Sequence, residues 1–240
     1  MSSIFFATDV HGSEICWKKF INAGKFYNVD AIILGGDMTG KALVPFVESG
    51  KGTYRVSFLE QEMTLQGDDI ERTQKMISDR GYYPIYMTQD RFQELSQDSE
   101  KVHQLFVEEV VKTAERWVEY AEERLRQSGI KCFICPGNDD MFELDEVFAN
   151  SSYIELTEGK VVDIDGTYTM ISTGWSNPTP WETHRECSEE ELDQKIEAMI
   201  PQVPDLNKCI FNFHAPPYGS GLDEAPELDA ELRPRYAGRS

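Results

Sequence analysis

Residues that can bind a metal ion follow four short apolar segments of this chain. Each segment has the length and composition of a buried strand bounded by turn residues. In chain order, Asp9 and His11 follow residues 4–7, Asp37 follows 31–34, Asn138 and Asp139 follow 132–135, and His214 follows 209–213. If these strands lie side by side in a sheet covered by helices, their carboxyl ends share one edge, where ligands bind. Carboxylate, imidazole and amide groups together suit Mn, Fe, Zn or Mg, so we expect a metal site at this edge.

The order of these motifs resembles that of the calcineurin-like metallophosphoesterase superfamily. Asp9-x-His11, Gly36-Asp37, Gly137-Asn138 and His214 carry the resemblance, which extends over residues 4 to 217. A single Asp-x-His is weak evidence, whereas four motifs in order, each after a predicted strand, are a strong signal. The resemblance implies an α/β fold, a four-layer α/β/β/α sandwich. It also implies two divalent metal ions (Mn, Fe, Zn or Mg).

The resemblance assigns a role to each residue of the site. Asp9 and His11 would bind metal 1, Asn138 and His214 would bind metal 2, and Asp37 would bridge the two ions. A hydroxide bridging the metals would then hydrolyse a phosphomonoester or phosphodiester by in-line attack on phosphorus. The ions would stabilise the charge that develops on the phosphate oxygens. Asn138 is also expected to contact the substrate.

One departure from the family pattern concerns the general acid. The family has a histidine in this role where the chain has Asp139. An aspartate is ordinarily ionised at neutral pH, and nearby cations lower its pKa further. We therefore expect Asp139 to orient a metal or a water rather than donate a proton. His184 could supply the acid instead, from a loop in which Asn177, Trp175 and Trp181 could form a substrate wall.

A second departure lies after His214. The family carries a late Gly-His-x-His with one ligand for each metal, and nothing of the kind follows in these 240 residues. The chain thus resembles a family member that ends before this motif, with the C-terminal part of the sandwich missing. The departures leave an alternative function open, that of a non-catalytic, phosphoesterase-like scaffold for protein interactions. Redox chemistry at Cys132 and Cys135 is disfavoured because both lie in a predicted buried strand.

Composition narrows the class of partner. A length of 240 residues suits one domain, 1–240, with a sizeable core and a probable insertion or cap at 41–98. The net charge of −20 makes a nucleic-acid polymer an unlikely partner, whereas bound cations would allow a small phosphate-ester substrate. No run of about 18 apolar residues and no signal peptide is recognisable, which predicts a cytoplasmic protein without a membrane anchor. The sequence carries no signal for an oligomeric state.

Helical and extended patterns surround the four motifs. Ser13 is expected to cap a first helix, and Ser188, with Glu191 in a capping box, a last one. A long amphipathic helix reaches residue 125, with Gly129 as its C-cap. Within 41–98 we expect a hairpin at 54–65, a helix at 68–80 and an extended segment at 82–87. Three extended segments at 153–156, 160–164 and 168–173 predict a second sheet packed against the first.

Overall fold

The computed structural model describes residues 2–224, 227–229 and 233–235. The helices are α1 (Glu14–Tyr27), α2 (Asp68–Asp79), α3 (Gln89–Leu95), α4 (Ser99–Leu125), α5 (Glu143–Ala149) and α6 (Glu189–Met199). The strands are β1 (Ile4–Ala7), β2 (Ala31–Leu34), β3 (Leu43–Gly50), β4 (Thr53–Phe58), β5 (Gln61–Gln66), β6 (Tyr83–Met87), β7 (Lys131–Ile134), β8 (Ile154–Leu156), β9 (Val161–Asp163), β10 (Thr169–Thr173), β11 (Cys209–Phe213), β12 (Glu227–Leu228) and β13 (Pro234–Arg235). In the described parts of the chain, every helix is too short or too polar to cross a membrane.

The first sheet is parallel and contains three of the four strands that lead to the motifs. Its order is β1-β2-β7-β8, so the carboxyl ends of β1, β2 and β7 meet at one edge. The assignment of 153–156 to a second sheet was wrong, because Ile154 pairs with Cys132 of this first sheet. The physical reason is the short helix α5, which acts as a crossover and returns the chain to the edge beside β7.

The second sheet faces the first. It has the order β11-β10-β9, with β11 parallel and β9 antiparallel to β10. The sequence pattern predicted that the strand before His214 lies beside the other three strands. This was wrong, because β11 belongs to the second sheet. Ala31, Ile33 and Phe133 of the first sheet share a buried cluster with Val162 and Met170 of the second. Apolar packing between the sheets thus brings His214 to the site from the opposite side.

Helices cover the other face of the first sheet. The indole rings of Trp17 on α1 and Trp117 on α4 stack there, with centroids 4.7 Å apart and planes 7° from parallel. The predicted C-cap at Gly129 was wrong, because α4 ends at Leu125 and its cap residue is Arg126. The backbone N–H and the hydroxyl of Ser128 both donate to the Leu125 carbonyl, at 2.8 and 2.7 Å, and this turn ends the helix before Gly129.

The segment within 41–98 forms a sheet of its own, with order β5-β4-β3-β6. The predicted hairpin, helix and extended segment are all present, and Phe46, Val56 and Ile77 belong to a separate buried cluster. The Ser13 hydroxyl donates to the carbonyl of Asp79 at 2.6 Å and so ties the end of α2 to the start of α1. The status of this segment as an insertion or cap stays a prediction.

The expected fold class is confirmed, since the chain is an α/β sandwich. Ser13 caps α1 by accepting from the N–H of Cys16 at 3.3 Å, and Ser188 forms the predicted capping box with Glu191. The four-layer order implied by the family resemblance stays a prediction.

Candidate metal centre

The loops after β1 and β2 are joined by backbone hydrogen bonds. The Asp9 N–H donates to the Gly36 carbonyl at 2.9 Å, and the His11 N–H donates to the Asp37 carbonyl at 2.8 Å. The loop after β7 adds a bond from the Asp139 N–H to Asp37 Oδ1 at 3.1 Å. These bonds hold the candidate ligands at the carboxyl edge of the first sheet.

Asp9 and His11 lie in turns rather than on an extended strand end. Their φ angles are 56° and 41°, and φ of Asp37 is 54°, all in the left-handed region. Such conformations cost about 1–3 kcal/mol each and persist only where surrounding bonds enforce them. The side chains converge nevertheless. His11 Nε2 is 3.7 Å from Asp9 Oδ1 and 3.7 Å from Asp37 Oδ2.

Glycines let the loops approach closely enough for these contacts. A Cβ added to Gly137 would lie 2.2 Å from Asp37 Oδ1, and one added to Gly36 would lie 2.6 Å from His214 Nδ1. A Cβ on Gly174, just after β10, would lie 1.9 Å from the Pro136 carbonyl oxygen. Any side chain at these positions would push the loops of the two sheets apart.

The two ring nitrogens of His214 have different partners. Nδ1 lies 3.0 Å from the Gly35 carbonyl oxygen, which can only accept, so Nδ1 carries the proton. Nε2 is then bare in the neutral ring. It faces Asn138 Oδ1 at 2.9 Å and Asp37 Oδ1 at 3.4 Å. The lone pair of Nε2 repels those of both oxygens unless a cation, either a proton or a metal ion, lies between them.

The ionisation of His214 and its neighbours reflects this arrangement. Burial lowers the pKa of His214, but the hydrogen bond and charge of Asp37 outweigh it and raise the pKa to about 9. The close approach of His11 lowers the pKa of Asp9, and the nearby Asp9 carboxylate raises the pKa of His11. One ligand atom each from Asp9, Asp37 and His214 lies within 4.8 Å of the others. This donor set fits a divalent transition metal.

Asp139 lies beside this group, in a setting the sequence did not predict. Burial and then the charge of Asp37 raise its pKa, while His11 and His184 lower it. Neither raising effect is visible in the sequence, because burial and the approach of Asp37 exist only in the folded chain. The side chain of His184 is exposed, on the loop between β10 and α6.

Asn177 does not join the metal ligands. It is exposed, and its Nδ2 donates to the Pro178 carbonyl at 3.5 Å. With Trp175 and Phe213 it lines a separate groove of about 550 Å³ next to the strand that ends before His214. Trp181 is 60% exposed at the surface of the same loop. A substrate wall formed by these residues stays a prediction.

Asp140 is a residue of the site region that the sequence reasoning missed. It is fully buried, and its Oδ1 accepts from the N–H groups of Met38 and Thr39, both at 2.7 Å, and from the Thr39 hydroxyl at 3.0 Å. Its Oδ2 accepts from the Gly137 N–H at 2.8 Å. Asp140 thereby fixes the loop after β7 to the loop after β2. The second of two adjacent aspartates was its only signal in the sequence.

Arg185 was missed as well. Its side chain is buried, and its Nε donates to the Asp140 carbonyl at 3.1 Å while Nη2 donates to Asp145 Oδ1 at 2.7 Å. Its backbone N–H donates to the Asn138 carbonyl at 3.0 Å. Arg185 therefore anchors the loop before α6 onto the loop that carries Asn138.

Comparisons with known proteins place the fold among solved structures. No family model matches the chain. "Uncharacterized protein MJ1162" of Methanocaldococcus jannaschii is 33% identical over 98 residues, which are 40% of this chain and 41% of that protein. The chain thus spans about two fifths of the length of this relative. The crystal structure of TT1561 of Thermus thermophilus aligns with a TM-score of 0.52 at 13% identity, over 92% of this chain and 70% of TT1561. At this identity, the likeness shows the fold alone.

Proposed function

We propose that the chain is a calcineurin-like metallophosphoesterase that hydrolyses small phosphomonoesters or phosphodiesters with two divalent metal ions. The Nε2 of His214, which faces the oxygens of Asp37 and Asn138 and can hold either a proton or a metal ion, is the observation that carries the proposal. This nitrogen and these two oxygens would form part of the coordination shell of a bound cation. Asp9 and His11, close to the other oxygen of Asp37, extend the shell to a second position.

Five residues would hold the ions. Metal 1 would take Asp9, His11 and Asp37, and metal 2 would take Asp37, Asn138 and His214. When bound, the ions supply a water of lowered pKa and neutralise charge on the phosphate. The chain orients the ligands, since the Gly35 carbonyl fixes the proton of His214 on Nδ1.

Asp139 occupies the position at which the family has a histidine that donates a proton. Without bound ions, burial and Asp37 keep its pKa above the ordinary value. Cations beside it would reverse that effect and leave it ionised at neutral pH. We therefore infer that Asp139 orients water and that leaving groups depart without much help from a protein acid.

The test combines metal content with hydrolysis of p-nitrophenyl phosphate and bis(p-nitrophenyl) phosphate. Asp37→Asn is the decisive variant, because asparagine tolerates the left-handed backbone, removes the charge and replaces one ligand oxygen by an NH₂ group that cannot bind a cation. Asp163→Asn on β9 is the matched control, since its side chain is 58% exposed and pairs with Lys131, away from the site. We expect Asp37→Asn to lose both Mn²⁺ ions and activity, and Asp163→Asn to keep both. An unchanged Mn²⁺ content in Asp37→Asn would contradict the proposal.

Asp139 in place of a histidine acid favours a second candidate, the non-catalytic scaffold. The same measurements separate the two functions. A scaffold that keeps the site would bind Mn²⁺ through Asp37 but hydrolyse neither ester.

A further inference from the structure

The side-chain amide of Asn138 is held by a chain of two hydrogen bonds. Its Nδ2 donates to the Thr183 hydroxyl at 2.8 Å, and that hydroxyl donates to Glu186 Oε1 at 2.6 Å. Thr183 and Glu186 belong to the loop before α6, and neither is among the proposed metal ligands.

The chemistry of Glu186 fixes the direction of both bonds. Burial raises its pKa, but hydrogen bonds from Thr179 and Thr183 outweigh this effect and lower the pKa to about 2. Glu186 is thus a carboxylate, which only accepts. Thr183 has a single hydroxyl proton and donates it to Glu186, so its oxygen must accept from Asn138. The amide nitrogen of Asn138 therefore faces Thr183, and Oδ1 faces His214 Nε2 at 2.9 Å.

We propose that Thr183 and Glu186 are positioning residues, which keep the amide oxygen of Asn138 directed at the metal 2 position between His214 and Asp37. This inference rests on the proposed function. If the amide were free to turn over, its NH₂ group would face the ion, and an N–H donor cannot bind a cation. Asn138 is also expected to contact the substrate. The bond to Thr183 occupies one of the two N–H groups of its amide, which leaves the other for that contact.

The loop that presents Thr183 is itself fixed. Glu186 accepts from the backbone N–H groups of Thr179 and Thr183, both at 2.9 Å, and from the Thr179 hydroxyl. The Arg185 N–H donates to the Asn138 carbonyl. The orienting hydroxyl and the amide it orients are thus connected through both side chains and backbone, as expected of a preorganised outer shell.

The experiment uses the 240-residue chain and four substitutions. Thr183→Val removes the hydroxyl at nearly constant volume, and Thr183→Ser restores it. Thr179→Val is the matched control, because it removes an equivalent bond to Glu186 without touching Asn138. Thr183→Ala repeats the test without the added methyl of valine. Mn²⁺ titration calorimetry reports the affinity of both sites, and ¹⁵N NMR without metal reports hydrogen exchange of the Asn138 side-chain amide.

We expect Thr183→Val to weaken one Mn²⁺ site by about 10–100-fold and to speed exchange of the Asn138 amide. Thr183→Ser should restore both readouts, and Thr179→Val should leave both near the wild-type values. Unchanged exchange or unchanged affinity in Thr183→Val and Thr183→Ala overturns the inference. Equal effects of Thr179→Val and Thr183→Val also overturn it, because loop integrity would then explain the loss. A wild-type chain that binds no Mn²⁺ overturns the proposed function, and with it this inference.

Discussion

The ring of His214 determines which proton equilibrium governs the site. Nδ1 is committed to the Gly35 carbonyl, so Nε2 is the atom that exchanges a proton for a metal ion. The Asp37 carboxylate stabilises either cation, which is why the pKa of His214 rises to about 9 despite burial. Protons and metal ions therefore compete for one nitrogen over the whole neutral range.

The first prediction concerns pH. Because the pKa of His214 is raised, the metal-free ring is protonated below about pH 9, and metal binding must displace that proton. The apparent Mn²⁺ affinity should rise as pH increases from 6 to 9, by up to about tenfold per pH unit for one released proton, and level off above 9. Calorimetry in buffers of different ionisation enthalpy measures both the affinity and the protons released. A flat profile without proton release would contradict the assignment.

The second prediction concerns the leaving group. Asp139 stands where the family that the sequence resembles carries an imidazole acid, and bound cations would keep it ionised. Hydrolysis should therefore favour aryl esters with acidic leaving groups, and the rate should fall steeply as the pKa of the leaving group rises. A series of substituted phenyl phosphates with Mn²⁺ measures the slope. A flat dependence, with chemistry shown to limit the rate, would mean that a competent acid such as His184 is present.

At the scale of elements, most local signals were interpreted correctly, whereas the sheet membership of two strands was not. The caps at Ser13 and Ser188 depend on residues three positions away, so sequence spacing predicts them well. The sheet to which β8 or β11 belongs depends on pairing with strands distant in sequence. The composition of a short apolar strand does not indicate which strand it pairs with. The end of α4 was misplaced because a serine turn competed with Gly129 for the same role.

The candidate site divides in the same way. Its ligand types were visible, because carboxylates and histidines after apolar runs are a sequence pattern. The left-handed backbone at Asp9 and His11 was not, since bonds to a loop almost thirty residues away impose it. Asp140 and Arg185 escaped notice because their burial and their bonds to backbone groups exist only in the folded chain.

The third prediction concerns Arg185, which joins the loop before α6 to the loop after β7. Arg185→Met should lower the free energy of unfolding by about 1–3 kcal/mol, because two buried carbonyls lose their donor. Arg126→Met is the matched control, since its ion pair with Glu122 is of similar length but its own side chain is 59% exposed, and its loss should change little. Urea denaturation measures both variants. Equal effects would show that the buried contacts of Arg185 contribute no more than a surface pair.

At the scale of the whole molecule, the candidate metal centre bridges the two facing sheets. Asp9 and Asp37 extend from the first sheet, whereas His214 follows β11 of the second. An ion coordinated by these side chains would connect the two sheets. This connection would exist only in the folded state. The unfolded chain cannot bring together ligands that lie some two hundred residues apart, so metal binding should be linked to folding.

The fourth prediction follows from this linkage. Mn²⁺ should raise the Tm of the wild-type chain. At a free concentration of about 100 times the Kd, binding should increase the free energy of unfolding by about 2.7 kcal/mol. That Kd should be high, because the chain offers only three proposed protein ligands to each ion. Calorimetric melting with Mn²⁺ and then with EDTA measures the effect. Asp37→Asn should show no increase, and an equal increase in both proteins would place the bound Mn²⁺ elsewhere.

The four tryptophans of the chain are divided between two environments, which gives the molecule two optical reporters. Trp17 and Trp117 form the buried stacked pair between α1 and α4, where closely spaced parallel indoles couple their electronic transitions. Trp175 and Trp181 lie on the loop before α6, the first against the Lys195 ammonium and the second largely in solvent. The circular dichroism signal of the coupled pair should disappear when the packing of α1 against α4 is lost. A soluble quencher should reduce mainly the fluorescence of the exposed loop, because the buried pair is shielded from it. Events at the site can therefore be observed separately from unfolding without attaching a label.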